Sequence, residues 1–431
     1  MSTDSPYAAR PWLRHYDYWV RPHMNYPERP LHEILAATAV DIPDGPATAF
    51  LGATLTFREL KVRADRLAAA LARLGVVKGD RVGIMLPNCP QYIVGAFACL
   101  RLGAIVVNIN PIYTAREVLT VANDSGVRAL VTLDALAPLA LGVQARTRIE
   151  SVIVTSLAEY SAAPAPAPRV DGALTLADLL SDVSDAELPR VAFDPDDVAV
   201  LQYTGGTTGT PKGAMLTHRN IFANLVQTEA FMYRSYVRGE PRYLLVIPYF
   251  HIYAFTVGMM KGIWTGALQI LLPKYDVEQV LTAIRDFRPT YFPAVPTVFV
   301  SLLNHPKVKE YGLEHVRTFN SGGAPCPVEV IEQWEKKIGR PLNEGYGLSE
   351  TSPVTHTTPQ LARRKPGTIG LPLPDTDMKI VDVETGLRDL PVGEAGELCI
   401  AGPQVMKGYW NRPEETASAI RMHSDGSTWF H

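Results

Sequence analysis

The sequence predicts an α/β protein: two layered subdomains, each with a largely parallel sheet between helices, and a small β-rich subdomain at the end. Three observations predict it. From residue 51 short apolar strands alternate with amphipathic helices, the pattern of parallel sheet covered on both faces. Capping chemistry marks helix starts within that alternation. Beyond about residue 341 the helical period disappears, and short strands stand between Gly and Pro turns. A chain of 431 residues has room for two or three such lobes and a large core.

Residues 1–30 carry Trp12, Tyr16, Tyr18, Trp19 and Tyr26 with no helical or strand period. They read as an arm lying on the body or on a second subunit. Thr56-Phe57-Arg58-Glu59 is a capping box opening a helix with Leu60, Ala64, Leu67, Leu71 and Leu74 on one face, closed by Gly75. Arg81–Leu86 is predicted as a strand, Pro90–Leu102 as a helix and Ala104–Asn108 as a strand. A second capping box, Thr114-Ala115-Arg116-Glu117, starts the next helix, followed by strands at Ala129–Leu133 and Ser151–Thr155. Ser161–Pro168, alternating Ala and Pro, is a surface loop. Arg242–Ile247 and Leu268–Leu272 are strands, Asp276 caps a helix to Phe287, and Pro325 and Pro327 precede a helix through Ile338. In the last subdomain the expected strands are Lys379–Asp382 and Glu397–Ala401.

The most informative stretch follows the apolar run Val198–Leu201. Thr204-Gly205-Gly206-Thr207-Thr208-Gly209-Thr210-Pro211-Lys212 places three glycines, four threonines and a lysine at a strand exit. Glycines let successive N–H groups face one concavity, which binds phosphate without side chains. Threonine hydroxyls add donors, and Lys212 adds a point charge on a long stem. No Ser or Thr follows the lysine, so this is not a Walker A loop. An ordinary flexible Gly/Thr loop is the weaker reading.

Three other stretches carry potential chemistry. Asn320-Ser321-Gly322-Gly323-Ala324-Pro325 again sets glycines after a short strand, where open α/β sheets bind ligands, although a plain turn fits equally. Glu344-Gly345-Tyr346-Gly347-Leu348-Ser349-Glu350 holds a tyrosine between glycines, free to lie flat on a purine. Its Glu350 is a hard oxygen ligand suited to Mg²⁺, and Ser349 can donate to a phosphate; a turn with a surface glutamate is the even alternative. Pro248–Phe255 puts His251 among aromatics, either as a packed core histidine or beside a reacting carboxylate, with Phe255 one turn on lining an apolar pocket.

Composition removes other classes. The net charge is −3, from 44 acids against 41 bases, without long runs of either sign, so nothing marks a nucleic-acid partner. Cys89, Cys99, Cys326 and Cys399 form no C-x-x-C and read as reduced cytosolic thiols, neither a disulfide frame nor a zinc site. The start, Met1-Ser2-Thr3-Asp4, is polar and unlike a signal sequence. No run of about 18 apolar residues exists to span a bilayer.

Taken together, these stretches resemble the adenylate-forming superfamily of acyl-CoA synthetases, adenylation domains and luciferases. The likeness runs from about Thr56 to the last residue, in the family's order. Leu201–Gly209, Lys212–Asn220, Gly402–Trp410 and Val106–Thr114 look most like bacterial long-chain fatty-acid–CoA ligases. The resemblance implies a reaction in which a carboxylate attacks the α-phosphate of ATP, giving acyl-AMP and pyrophosphate, after which the CoA thiol displaces AMP. It implies that Thr204, Gly205, Gly206, Thr207, Thr208, Gly209, Thr210 and Lys212 hold the β- and γ-phosphates, that Thr204 and Glu350 bind Mg²⁺, and that Ser349 contacts the α-phosphate. Gly323, Ala324, Pro325, Glu344, Gly345, Tyr346 and Gly347 would form the adenine pocket, and His251 and Phe255 the acyl site. Lys212, His251 and Glu350 are the expected catalytic residues.

The family continues past the tryptophan-aromatic-His segment with a Thr-Gly-Asp, a hinge and a small C-terminal domain. The sequence stops at His431, and the resemblance therefore implies the large N-terminal domain of such a ligase, with that C-terminal domain absent. Its expected division is an arm (1–50), two α/β subdomains (51–195 and 196–340) and a distorted β-barrel (341–431). Such a domain is expected to bind ATP and make acyl-CoA slowly or not at all. A cytoplasmic protein is expected, with a peripheral contact at the inner membrane face and a homodimer both compatible. Two competitors remain. One is an aryl- or medium-chain-acid ligase whose pocket is shortened by Phe255 and Trp264. The other is a catalytically silent nucleotide-binding interaction protein.

Overall fold

A computed structural model describes residues 5–183, 188–205, 211–232 and 237–431. Its first sheet has seven strands, in the order Leu174–Thr175, Ser151–Thr155, Val127–Leu133, Arg81–Met85, Ile105–Asn108, Val198–Thr204 and Lys212–Thr217. All neighbours are parallel except the last pair. Alternation along each strand serves two cores. Ile105 and Val107 face the helices Ala115–Ser125 and Ala137–Gln144, whereas Val106 faces Phe57–Arg73 and Pro90–Leu102. Both predicted capping boxes are present, with Thr56 and Thr114 each accepting from the backbone N–H of the glutamate three residues on.

The second sheet runs Leu371–Pro372, Val354–Thr357, Leu342–Gly347, Thr318–Ser321, Tyr291–Ala294, Arg242–Leu245, Leu268–Leu271, Pro46–Phe50, Ala53–Thr56. Its six central strands are parallel, and the outer pairs are antiparallel. Val277–Phe287, Pro296–Asn304 and Val328–Ile338 cover one face over a core centred on fully buried Trp334. A third, four-stranded antiparallel sheet joins Asp377–Val381, Glu397–Ala401, Thr428–Phe430 and Ile420–Met422.

Sheet membership crosses the expected sequence blocks. The strand entering the phosphate loop belongs to the first sheet, because it pairs with Ile105–Asn108. Three strands beyond residue 341 extend the second sheet, and the small sheet begins only at Asp377. The seven-residue helix Pro413–Ala419 also stands where no helical period was visible, being under two turns long. Among the described residues no helix is long and apolar enough to cross a membrane.

The arm lies on the body of its own chain. Arg10 forms a two-pronged ion pair with Asp377 (2.6 and 2.8 Å), Tyr16 donates to the Pro372 carbonyl (2.7 Å), and Tyr26 to Asp375 (2.7 Å). Buried Asp17 accepts three backbone N–H groups, from Gln360, Leu361 and Ala362 (2.6, 3.0 and 2.6 Å). In the small sheet Lys379 donates to His423 (3.0 Å), which meets His431 (2.9 Å), which in turn meets Glu397 (3.2 Å) beside Cys399. These groups form a hydrogen-bonded relay.

Two imidazoles are buried in the fold, and one of them makes a long-range contact. His218 accepts the Leu31 N–H at Nδ1 (3.1 Å), and His356 Nδ1 meets the Thr355 hydroxyl (2.9 Å). Lost hydration lowers their pKa values to about 4 and about 3. The unfolded imidazole titrates near 6.5, so the unfolded chain takes up protons first on acidification. The stability these groups contribute is full above about pH 6.5 and is lost as pH falls toward their folded values. A urea-unfolding series from about pH 7 to about pH 4 should therefore lose up to about 3 kcal/mol per imidazole, and a His218→Gln/His356→Gln variant should show a shallower slope. An unchanged slope in that variant would remove both from the account.

Candidate functional site

The strand Val198–Thr204 ends the run of parallel strands in the first sheet, and Lys212–Thr217 returns antiparallel beside it, pairing Thr204 with Lys212. The intervening Gly206, Thr207, Thr208, Gly209 and Thr210 lie outside the described residues. The edge strand is covered in turn by the segment near residue 408. Lys407 N–H donates to the Met215 carbonyl (2.9 Å), Met215 N–H to the Gly408 carbonyl (2.8 Å), and Trp410 N–H to the Gly213 carbonyl (2.8 Å).

This register aims Tyr409 at the site. Its hydroxyl donates to Glu350 Oε1 (2.8 Å), and Lys212 Nζ lies 5.3 Å from its ring centroid. Burial first, and the Glu350 charge second, push the phenol pKa up, which keeps it a donor. Met406 N–H also donates to the Glu350 carbonyl (2.7 Å). Lysine and carboxylate thus both meet the one tyrosine, reached from three distant parts of the chain.

Glu350 sits in the short turn Ser349–Thr351, just past the strand Leu342–Gly347. A glycine is demanded at 347, since a Cβ there would stand 1.9 Å from the Pro353 carbonyl oxygen. The sequence offered a different reason for that glycine, namely clearance for Tyr346. Half-buried Tyr346 sets its ring edge-to-face with His356, 6.0 Å between centroids.

These pieces surround one cavity of about 300 Å³. Its wall includes Thr204, Ser349 and Glu350, with Gly323 and Gly345–Gly347, and the apolar side chains of Phe231, Met232, Val257 and Tyr291. His251 also lines the cavity. Its ring is reached by solvent through the cavity but walled by protein, and the lost hydration lowers its pKa. Its Nδ1 accepts the Tyr253 N–H (3.2 Å), which leaves Nε2 as the second ring nitrogen for a ligand. The Thr204 hydroxyl and Glu350 carboxylate are hard oxygens on one cavity, a donor set that fits Mg²⁺.

Not every expected residue lies on the wall. Phe255 follows one turn after His251, its N–H donating to the His251 carbonyl (3.0 Å), but it is fully buried in the core. Val257 takes the cavity position, where Ala254–Met260 winds as a π-helix. Trp264 packs edge-on against Phe222 (5.4 Å) and does not line the cavity either. Ala324 and Pro325 are exposed just past Gly323. Glu344 is half-buried, with its carboxylate accepting the Gly367 N–H (3.2 Å) and its pKa raised by desolvation. Phe231, Met232 and Tyr291 were missed, because their place on the wall comes from tertiary packing and leaves no local pattern.

A family profile described as AMP-binding enzyme matches residues 35–410. The chain is 41% identical over 429 residues to a Bacillus subtilis (strain 168) protein named long-chain-fatty-acid–CoA ligase, covering 96% of this chain and 76% of that one. The crystal structure of a long-chain-fatty-acid-CoA ligase from Archaeoglobus fulgidus superposes with a TM-score of 0.84 at 28% identity, covering 96% of this chain and 83% of that one. The N-terminal domain of FACL13 from Mycobacterium tuberculosis superposes at 0.80 with 27% identity, covering 93% of this chain and 95% of that one.

Substituting Gly347→Ala tests the tight turn that carries Glu350. Relieving so close a contact with backbone should cost about 3 kcal/mol or more in denaturant unfolding. A variant as stable as the parent would show that the turn relaxes freely.

Proposed function

The chain belongs to the AMP-binding enzyme family, and on that premise we propose that it activates a long-chain fatty acid with ATP. The products of the first step are acyl-AMP and pyrophosphate; the CoA thiol then attacks the acyl carbon and releases AMP. The observation carrying this reading is that Thr204 and Glu350 share one cavity with the apolar side chains of Phe231, Met232, Val257 and Tyr291. A polyphosphate suits the first group and an alkyl tail the second.

The chemistry asks two anions to approach, and the chain's own groups offset their repulsion. Lys212, resting on Tyr409, brings positive charge to the phosphate loop at residues 204–212. Ser349 donates toward the α-phosphate, and Tyr346 with its flanking glycines takes the adenine. His251, whose Nδ1 accepts the Tyr253 N–H, carries its ring proton on Nε2 and can donate it in a hydrogen bond to the acid carboxylate. Glu350 and Thr204 would hold Mg²⁺, which when bound neutralises part of the phosphate charge. The Tyr409 hydroxyl fixes one Glu350 oxygen and so orients the carboxylate.

The near-complete overlap with the FACL13 N-terminal domain supports reading these residues as the large ATP- and acid-binding domain of a ligase. We place the protein in the cytoplasm, with peripheral contact at the inner membrane face where long-chain acids partition. An aryl-acid pocket shortened by Phe255 and Trp264 finds no support, since neither lines the cavity.

Lys212→Ala should weaken Mg-ATP binding roughly 10- to 100-fold by calorimetry, the range of a lost charge-assisted contact. Glu350→Gln should raise the Mg²⁺ concentration needed for half-saturation about tenfold or more, and Tyr409→Phe should do so by less. Unaltered ATP binding in Lys212→Ala would end the ligase reading. In acid-dependent pyrophosphate exchange, palmitate should outperform benzoate; the opposite order would favour an aryl acid.

A further inference from the structure

Behind the apolar part of the cavity wall lies a fully buried lysine. Lys261 has no exposed surface, and its ammonium donates to the Thr228 carbonyl (3.1 Å) and to the Met232 thioether sulfur (3.1 Å). It also stands 5.9 Å from the Tyr291 ring centroid. Thr228, Met232 and Tyr291 are all cavity wall, so a cation stands directly behind this part of it. Among the described residues no acceptor takes the third ammonium hydrogen, and Glu229 compensates the charge only at longer range.

A buried ammonium with one carbonyl and one weak sulfur acceptor is a costly way to fill space; an aliphatic chain would pack there more cheaply. What the ammonium does achieve is to remove the freedom of methionine, whose unbranched side chain otherwise adapts to whatever presses on it. Desolvation draws the Lys261 amine down to about 8, in keeping with a site that strains to hold the charge.

We propose that Lys261 fixes the depth of the acid-binding cavity, by clamping Met232 and the Thr228 carbonyl in its wall. This rests on the reading of the cavity as the acid site. Lys261 touches no reacting atom; it is a positioning residue whose effect falls on the far end of the acyl chain. Without the clamp, Met232 turns aside and a longer tail enters.

The test measures binding of non-hydrolysable acyl-adenylate mimics, with saturated chains from hexanoyl to stearoyl, by calorimetry against AMP alone. Lys261→Met keeps an unbranched chain and removes the charge; Met232→Ala removes the obstruction itself. In the parent, affinity should rise with chain length until the tail meets Met232 and then level off or fall. Both variants should move that break to longer chains, gaining up to about fourfold in affinity for each methylene newly admitted. AMP affinity should be the same in Lys261→Met as in the parent, which a general loss of structure would not allow. A break that moves in Met232→Ala and stays put in folded Lys261→Met overturns the clamp and leaves the acid site standing. Mimics that bind the parent no better than AMP at any length overturn the acid-site reading, and the clamp with it. Should Lys261→Met fail to fold, Met232→Leu keeps the bulk without the sulfur acceptor and must shift the break in the same direction.

Discussion

Three backbone hydrogen bonds along the edge strand Lys212–Thr217 hold the site in register. They seat the segment around Gly408 against Gly213 and Met215, and with it the ring of Tyr409 between Lys212 and Glu350. A one-residue slip of that segment would turn Tyr409 to the opposite face. The strand it covers is the last of a largely parallel sheet, and an uncovered edge exposes unpaired backbone groups. Closing that edge and fixing the Glu350 carboxylate are therefore the work of the same few residues. Gly213 contributes from below, since a Cβ there would stand 3.1 Å from the Tyr203 ring.

The cavity wall is built in two different ways. Near Glu350 it depends on close backbone approach, with Gly347 pressed on the Pro353 carbonyl and Leu348 N–H donating to the same oxygen (3.0 Å). Toward Met232 it depends on side chains from the helix His218–Met232, from the π-helical segment and from the strand at Tyr291. On the proposed reading, backbone geometry would suit a constant nucleotide, whereas side chains can be exchanged to suit different acids.

The same contrast explains what could be read before the structure was seen. Thr56, Thr114 and Asp276 announced their helices because a cap is settled within four residues. Thr204 and Glu350 could be singled out by residue type alone, as hydroxyl and carboxylate oxygens beside glycines, and the structure brings both onto one cavity. Sheet membership was not legible: alternation says that Val198–Thr204 is a strand, not that it lies beside Ile105–Asn108. Phe255 was placed by counting one turn from His251, and the π-helical winding puts Val257 on the wall instead. The Tyr409–Glu350 bond joins residues 59 apart, and nothing in either stretch points to the other.

The arm places a constraint on the order in which the molecule can be completed. Asp17 leaves the ribosome early, yet the backbone groups it binds at Gln360, Leu361 and Ala362 are 343 to 345 positions later. Its strap has to wait until that later stretch has been made, and the two segments must then find each other. Gln360 is itself part of the cavity wall. The nascent protein thus acquires its finished binding rim only after residues 360–362 emerge, when the arm is fastened down.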